Sequence, residues 1–217
     1  MSDLRELLRG TEVFSGELPT FDPTGLPADP HELFSEWLLA AVRDGVREPH
    51  AMTLSTVDAA GDPDARVLIL KNVSPQGWEF ASDAGGRKGR QLAAHPAAAL
   101  TFYWSPLARQ VRVRGRVEPA GEADSAADFL ARSPAARAEA LLGRQSAPLG
   151  DLAERDAAVR ASAERVAREP GLVPPSWTLY VLRAERVEFW QGDRERRHVR
   201  VDYVREGDGW KRGLLWP

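Results

Sequence analysis

Apolar residues recur at helical spacing early in the chain. Leu33, Phe34, Trp37, Leu38, Ala41 and Val42 form one stripe. Ahead of it, Asp29 is placed to cap, Pro30 suits the first helical position and Glu32 is placed to close a capping box. A helix beginning there is predicted. Residues 1–28 are rich in Pro, Gly and Asp without a sustained period, and read as an arm. After the helix the pattern becomes strand-like. Met52–Val57 and Ala65–Lys71 flank an Ala-Ala-Gly-Asp-Pro turn, and Trp78–Ser82, Ala98–Trp104 and Gln110–Glu118 follow. In the last of these, Val111 and Val113 face one way while Arg112 and Arg114 face the other. Asp83-Ala84-Gly85-Gly86 is a turn opening a helix from about Arg87 to Ala94, and a helical region runs from about Glu122 to Arg168, interrupted near Ser146–Leu149. Trp177–Arg183, Val187–Gln191, Arg197–Val204 and Trp210–Leu214 complete the strands. Many short strands with few helices predict a mainly β barrel or sandwich with flanking helices, not a βαβ fold.

Composition narrows the class. A chain of 217 residues suits one substantial domain, here residues 29–217. With 29 basic against 32 acidic residues, the net charge of −3 sets up no global field for nucleic acid or an anionic membrane. No segment has the apolar length of a bilayer span, and the N-terminus lacks a signal-peptide core, so a cytoplasmic protein is expected. Cysteine is absent, which excludes disulfides, thiolate metal sites and a cysteine nucleophile. The four histidines are scattered without metal-ligand spacing, so no metal is expected.

Three stretches carry candidate chemistry. The turn Ser82-Asp83-Ala84-Gly85-Gly86-Arg87-Lys88 combines glycines, a helix N-terminus and two cations. Backbone N–H groups and charged donors together suit a phosphate. Two basic residues in a first helical turn oppose the helix dipole, which a bound anion would explain. Arg66 opens a strand that Lys71 closes five residues later, so on a regular strand they face opposite ways and serve different groups. Near the C-terminus, alternation puts Arg196, His198 and Arg200 on one face of an extended segment. Such cations repel unless an anion or an electron-rich ring lies between them. A charged edge strand that discourages pairing also explains this cluster.

Arg66-Val67-Leu68-Ile69-Leu70-Lys71, Gly86-Arg87-Lys88, Arg109-Gln110-Val111-Arg112-Val113, Gln145-Ser146, Glu188-Phe189-Trp190-Gln191-Gly192 and Arg196-Arg197-His198-Val199-Arg200 occur in an order and spacing that resemble the pyridoxamine 5′-phosphate oxidase family of FMN-dependent oxidases. The resemblance covers roughly Asp29 to Pro217. It implies a split β-barrel, homodimeric, with FMN at the subunit interface and Gln145-Ser146 reaching a flavin bound mainly by the other chain. It makes Arg66, Val67, Leu68, Lys71, Ser82, Arg87, Lys88, Gln110, Gln145, Ser146, Trp190 and Arg200 the flavin contacts. It places Arg196 and His198 over the substrate ring as catalytic residues. The family holds a substrate phosphate with a lysine, a tyrosine, an arginine and a serine. Lys71 and Arg132 match, whereas Asp128 and Ala136 stand at the tyrosine and serine positions.

The implied reaction is hydride transfer from substrate to FMN with O₂ as acceptor, giving H₂O₂. The default substrate is pyridoxamine or pyridoxine 5′-phosphate. Asp128 and Ala136 keep open an oxidase of another small ring, as in phenazine biosynthesis. A flavin- or B6-binding protein with little turnover is the alternative of a different class.

Overall fold

The computed structural model describes residues 3–217; residues 1 and 2 of the expected arm lie outside them. Six α-helices and nine strands are formed among the described residues. The strands are β1 Ala51–Val57, β2 Pro63–Ile69, β3 Asn72–Ser74, β4 Gly77–Asp83, β5 Ala97–Trp104, β6 Arg109–Pro119, β7 Trp177–Gln191, β8 Val199–Glu206 and β9 Gly209–Leu214. They join in the order β2-β1-β5-β6-β7-β4-β3, with β8 paired to β7 and β9 to β8. The chain divides into two compact units. One comprises residues up to Met52 with Leu100–Val113 and Glu185–Pro217; the other comprises Thr53–Ala99 and Arg114–Ala184.

In the first unit, helix α1 spans Leu4–Gly10, within the stretch expected to be an irregular arm. Asp3 caps it by accepting from Arg5 N–H, but the helix buries no side chain. Helix α2, Pro30–Arg43, matches the expected stripe. Leu33, Phe34, Trp37 and Ala41 are buried, while Val42 stands exposed at the stripe's edge. The capping box does not form. Asp29 makes no side-chain cap, and its carboxylate instead lies 2.9 Å from His31 Nδ1. Phe34 packs on Phe102 and Trp37 on Phe189, at centroid distances of 4.8 and 5.3 Å, so the helix is held by ring-on-ring burial. Each such side chain contributes roughly 1.5–3 kcal/mol when fully buried.

In the second unit, α3 spans Arg87–Ala94, α4 Glu122–Leu130, α5 Pro134–Leu141 and α6 Leu152–Arg168. The long helical region thus breaks twice, first at Ala131–Ser133, where Ser133 caps α5 by accepting from Ala136 N–H. Ser125 of α4 accepts from Leu179 N–H at 3.0 Å, and Ser162 of α6 donates to Ala138 O at 2.6 Å. These buried hydroxyls fix the helices at definite positions, because leaving such a group unpaired costs about 1–3 kcal/mol.

Strands Trp177–Arg183 and Val187–Gln191 prove to be one strand of 15 residues. Its first half pairs with β4 and its second with β8. The polar residues at its middle mark this change of partner, which a sequence reading takes for a turn.

Candidate active site

The expected phosphate turn is built in the second unit. β4 delivers Ser82 and Asp83, and α3 starts immediately after Gly86. No side chain caps α3, and its first turn holds no acidic residue, so no side-chain acceptor is committed to its leading N–H groups. Glycine is required at position 89, where a Cβ would stand 2.3 Å from Ala84 O. That contact lets the helix lie directly on the turn.

Lys88 is buried, 6% exposed, and donates to Gln145 Oε1 at 2.5 Å; Ser82 donates to the same oxygen at 3.3 Å. Burial, and secondarily Arg66, hold Lys88 below its ordinary pKa. Arg66 reaches Thr56 Oγ1 at 2.5 Å and Gln91 Oε1 at 3.0 Å, and pairs with Asp64 at 2.6 Å. Arg87 pairs with the same carboxylate at 3.2 Å. A hydrogen bond from Gln91, then the two arginines, hold Asp64 below the usual carboxylate range against its desolvation. The structure therefore brings Arg66, Ser82, Arg87, Lys88 and Gln145 together. Within its own chain Gln145 sits on this turn, accepting from both Lys88 and Ser82.

This donor set fits a phosphomonoester. A buried ammonium and a hydroxyl already converge on one acceptor oxygen beside an uncapped helix N-terminus. Beside the turn lies a cavity of about 540 Å³ lined by Val67, Leu68, Ser82, Arg132, Gln145 and Ser146, all six of them residues the sequence singled out.

Arg66 and Lys71 pair with different groups, but strand parity is not the reason. β2 ends at Ile69, so Lys71 lies beyond it and pairs with Asp128 at 3.0 Å. The other Asp128 oxygen accepts from Trp177 Nε1 at 2.9 Å. Arg132 lies over the Trp177 ring, 4.3 Å from its centroid, and donates to Ala136 O at 3.2 Å. Lys71, Asp128, Arg132 and Ala136 are thus neighbours. Lys71 and Asp128, however, line a second cavity of about 620 Å³ together with Glu79, Glu118, Asp124 and Arg183.

The remaining residues lie in the first unit. Trp190 and Arg200 are cross-strand partners on β7 and β8. Arg200 is engaged within the chain, with Glu188 at 2.9 Å and Trp216 O at 2.7 Å. Arg196 does not lie on an extended segment. It sits in a turn with φ +66°, so alternation with His198 and Arg200 fails. The turn is shaped by Asp193, whose carboxylate accepts from Glu195 and Arg197 N–H. His198 Nδ1 accepts from Asp193 N–H at 3.0 Å, which assigns the neutral ring's proton to Nε2. That nitrogen is then a donor, which suits stabilising negative charge better than removing a proton. Gln110 is half-buried near the start of β6.

Sequence reasoning missed Asp64, Thr56, Gln91 and Phe14. Asp64 was legible, since it stands two residues before Arg66 on the same strand face. Phe14 was not. Its ring lies 5.8 Å from those of both Trp190 and His198, an approach that a sequence separation of 176 or more positions conceals.

Residues 38–191 match the family model described as pyridoxamine 5′-phosphate oxidase, and residues 177–217 match the pyridoxine 5′-phosphate oxidase C-terminal dimerisation region. The chain belongs to the pyridoxamine 5′-phosphate oxidase family. Its fold is the family's mainly β split barrel with flanking helices, and the dimerisation region supports a homodimer. It is 43% identical over 193 residues to a pyridoxine/pyridoxamine 5′-phosphate oxidase of Ectopseudomonas mendocina, covering 88% of this chain and 90% of the relative. The corresponding protein of Anaeromyxobacter dehalogenans is 41% identical, with 90% and 98% covered. Among solved structures, PhzG from Burkholderia lata 383, in complex with tetrahydrophenazine-1-carboxylic acid, is similar with a TM-score of 0.84 and 30% identity, covering 93% of this chain and all of that one. Among the described residues no helix is long and apolar enough to cross a membrane, and no group of three or more His, Asp or Glu side chains could hold a metal ion.

Proposed function

We propose that the protein is an FMN-dependent oxidase that takes hydride from a small ring substrate and passes the electrons to O₂, releasing H₂O₂. The observation carrying this reading is the convergence of Ser82 and buried Lys88 on one acceptor at the uncapped start of α3, with Arg66 and Arg87 alongside. Such a site suits one phosphomonoester, as in FMN, and the chain shows no second glycine-rich turn for a diphosphate. When bound, the flavin supplies the hydride acceptor and the route to O₂.

The protein's own residues would bind and orient. Lys88, Arg87, Arg66 and Ser82 hold the phosphate, and Val67, Leu68, Gln145 and Ser146 flank the cofactor. Gln110, Trp190 and Arg200 are assigned to the flavin by the family pattern, and Arg196 and His198 to the substrate, with His198 Nε2–H donating toward developing negative charge. The family and the named relatives favour pyridoxine or pyridoxamine 5′-phosphate as substrate. The Lys71–Asp128 pair favours a second reading, a ring without that phosphate.

The test is the purified protein's absorption spectrum, cofactor release by heat with identification by mass, and peroxide formation on a panel of ring substrates. FMN with peroxide release is expected. FAD, or no flavin even after FMN is added, contradicts the proposal. A flavin-loaded protein without turnover on any ring points to a binding protein instead.

A further inference from the structure

Both oxygens of Asp128 are committed, one to Lys71 and one to the Trp177 indole, and its side chain is only 12% exposed. Lys71 is thereby drawn to the 620 Å³ cavity, away from the one shared by Ser82, Gln145 and Arg132. Around that 540 Å³ cavity the formal charges already balance. Arg132, Arg144 and Arg155 line it, as do Asp83, Glu139 and Glu154. Arg144 pairs with Glu154, and Arg155 pairs with Asp156. Arg132 stands apart from these pairs. Its guanidinium meets only the Trp177 face and one carbonyl, and its Nε is buried without a partner. At position 136 the side chain is a methyl group, which offers no donor.

We propose that Asp128 is the specificity-determining residue of this pocket. By taking up Lys71 it leaves Arg132 alone to meet the substrate's tail, so the preferred ring substrate carries at most one negative charge there and not a phosphate dianion. This rests on the reading of the cavity as the substrate site of a flavin oxidase. A planar guanidinium fork on an aromatic face suits a carboxylate or a neutral acceptor. A dianion there would meet Arg132 without the second cation, which Asp128 holds at the other cavity.

The test is calorimetric binding of pyridoxal 5′-phosphate and of pyridoxal to the FMN-loaded protein near neutral pH. These two aldehydes differ only in the phosphate. Asp128→Asn keeps the shape and an acceptor for Trp177 while releasing Lys71. It is expected to raise the preference for the phosphorylated aldehyde by at least about tenfold, a change of ~1.4 kcal/mol. Lys71→Met added to Asp128→Asn should return the preference to near the wild-type value, because the freed ammonium is then gone. An Asp128→Asn protein whose preference stays within about twofold of wild type overturns the proposal, as does a double variant that keeps the full gain. Loss of FMN uptake in the wild type would instead contradict the oxidase reading. The same titration on the protein as purified would then still decide what Asp128 does.

Discussion

Two groups of cations in the second unit differ in what balances them. At the start of α3, Lys88 and Ser82 are satisfied by the neutral amide of Gln145, and Asp64 shares itself between Arg66 and Arg87. At the Lys71 site, a carboxylate with both oxygens committed faces a single ammonium. An amide oxygen is exchanged for a phosphate oxygen at little electrostatic cost, since no charge is separated. A carboxylate can be exchanged for an anion only by breaking an ion pair and crowding like charges. On this contrast Lys88 and Ser82 are the donors expected to take an anion, and Lys71 the one expected to resist it.

The largest test of this contrast removes the first group. Arg87→Ala with Lys88→Ala should weaken FMN binding by roughly 3–6 kcal/mol if two charged hydrogen bonds of about 1.5–3 kcal/mol each add. Fluorescence titration with FMN measures it. Unchanged affinity would reduce the turn to a charged surface loop. Next in size, Gly89→Ala should cost about 1–3 kcal/mol of stability, read by thermal melting, because its Cβ meets the Ala84 backbone, which must shift to admit it. A melt unchanged from wild type would show that α3 does not depend on that close approach.

The second group is tested by opening it. Asp128→Tyr with Ala136→Ser restores two neutral donors and should raise kcat/KM for pyridoxamine 5′-phosphate about tenfold, since ~1.4 kcal/mol suffices. The gain should lie in KM. A wild type that already turns over this substrate efficiently, with no gain in the variant, would erase the difference between the two groups.

Protonation sharpens the contrast further. Lys88 has its pKa lowered by burial below the ordinary 10.5, and phosphate binding needs it as the ammonium. As pH rises through that lowered value toward 10.5, FMN binding must take up a proton. Affinity should fall there by at most about tenfold per pH unit, and stay flat below the window. Lys88→Arg, which remains charged, should abolish the slope in a titration series. The smallest effect is expected from Asp64→Asn. Freeing Arg66 and Arg87 from a partly exposed carboxylate should tighten FMN binding slightly, since pairs of this kind contribute little in water. Weaker binding would mean that Asp64 holds the two arginines in place.

Much of the fold was legible because its signals are local. The stripe Leu33–Ala41, the alternation through Gln110–Glu118 and the Gly-Gly-Arg-Lys start of α3 each depend on neighbours a few residues away. So does the identity of the phosphate turn, since glycines, cations and a helix start are adjacent in the chain. The misreadings fall where a distant partner decides. The polar middle of β7 reads as a turn until β4 and β8 are seen to share the strand. Arg196 is a different case, read as extended although a local partner, the Asp193 carboxylate three residues before it, closes the turn.

By itself, the sequence determined which residues carry charge, which kinds of contacts they suit and that position 128 is acidic. Only the tertiary structure decided whom each charge meets. Asp128 lies 57 residues beyond Lys71 and 49 before Trp177, and nothing local to any of the three links them. Electrostatic and hydrogen-bond energies depend on distances of a few ångströms, which the chain sets by folding and not by sequence separation.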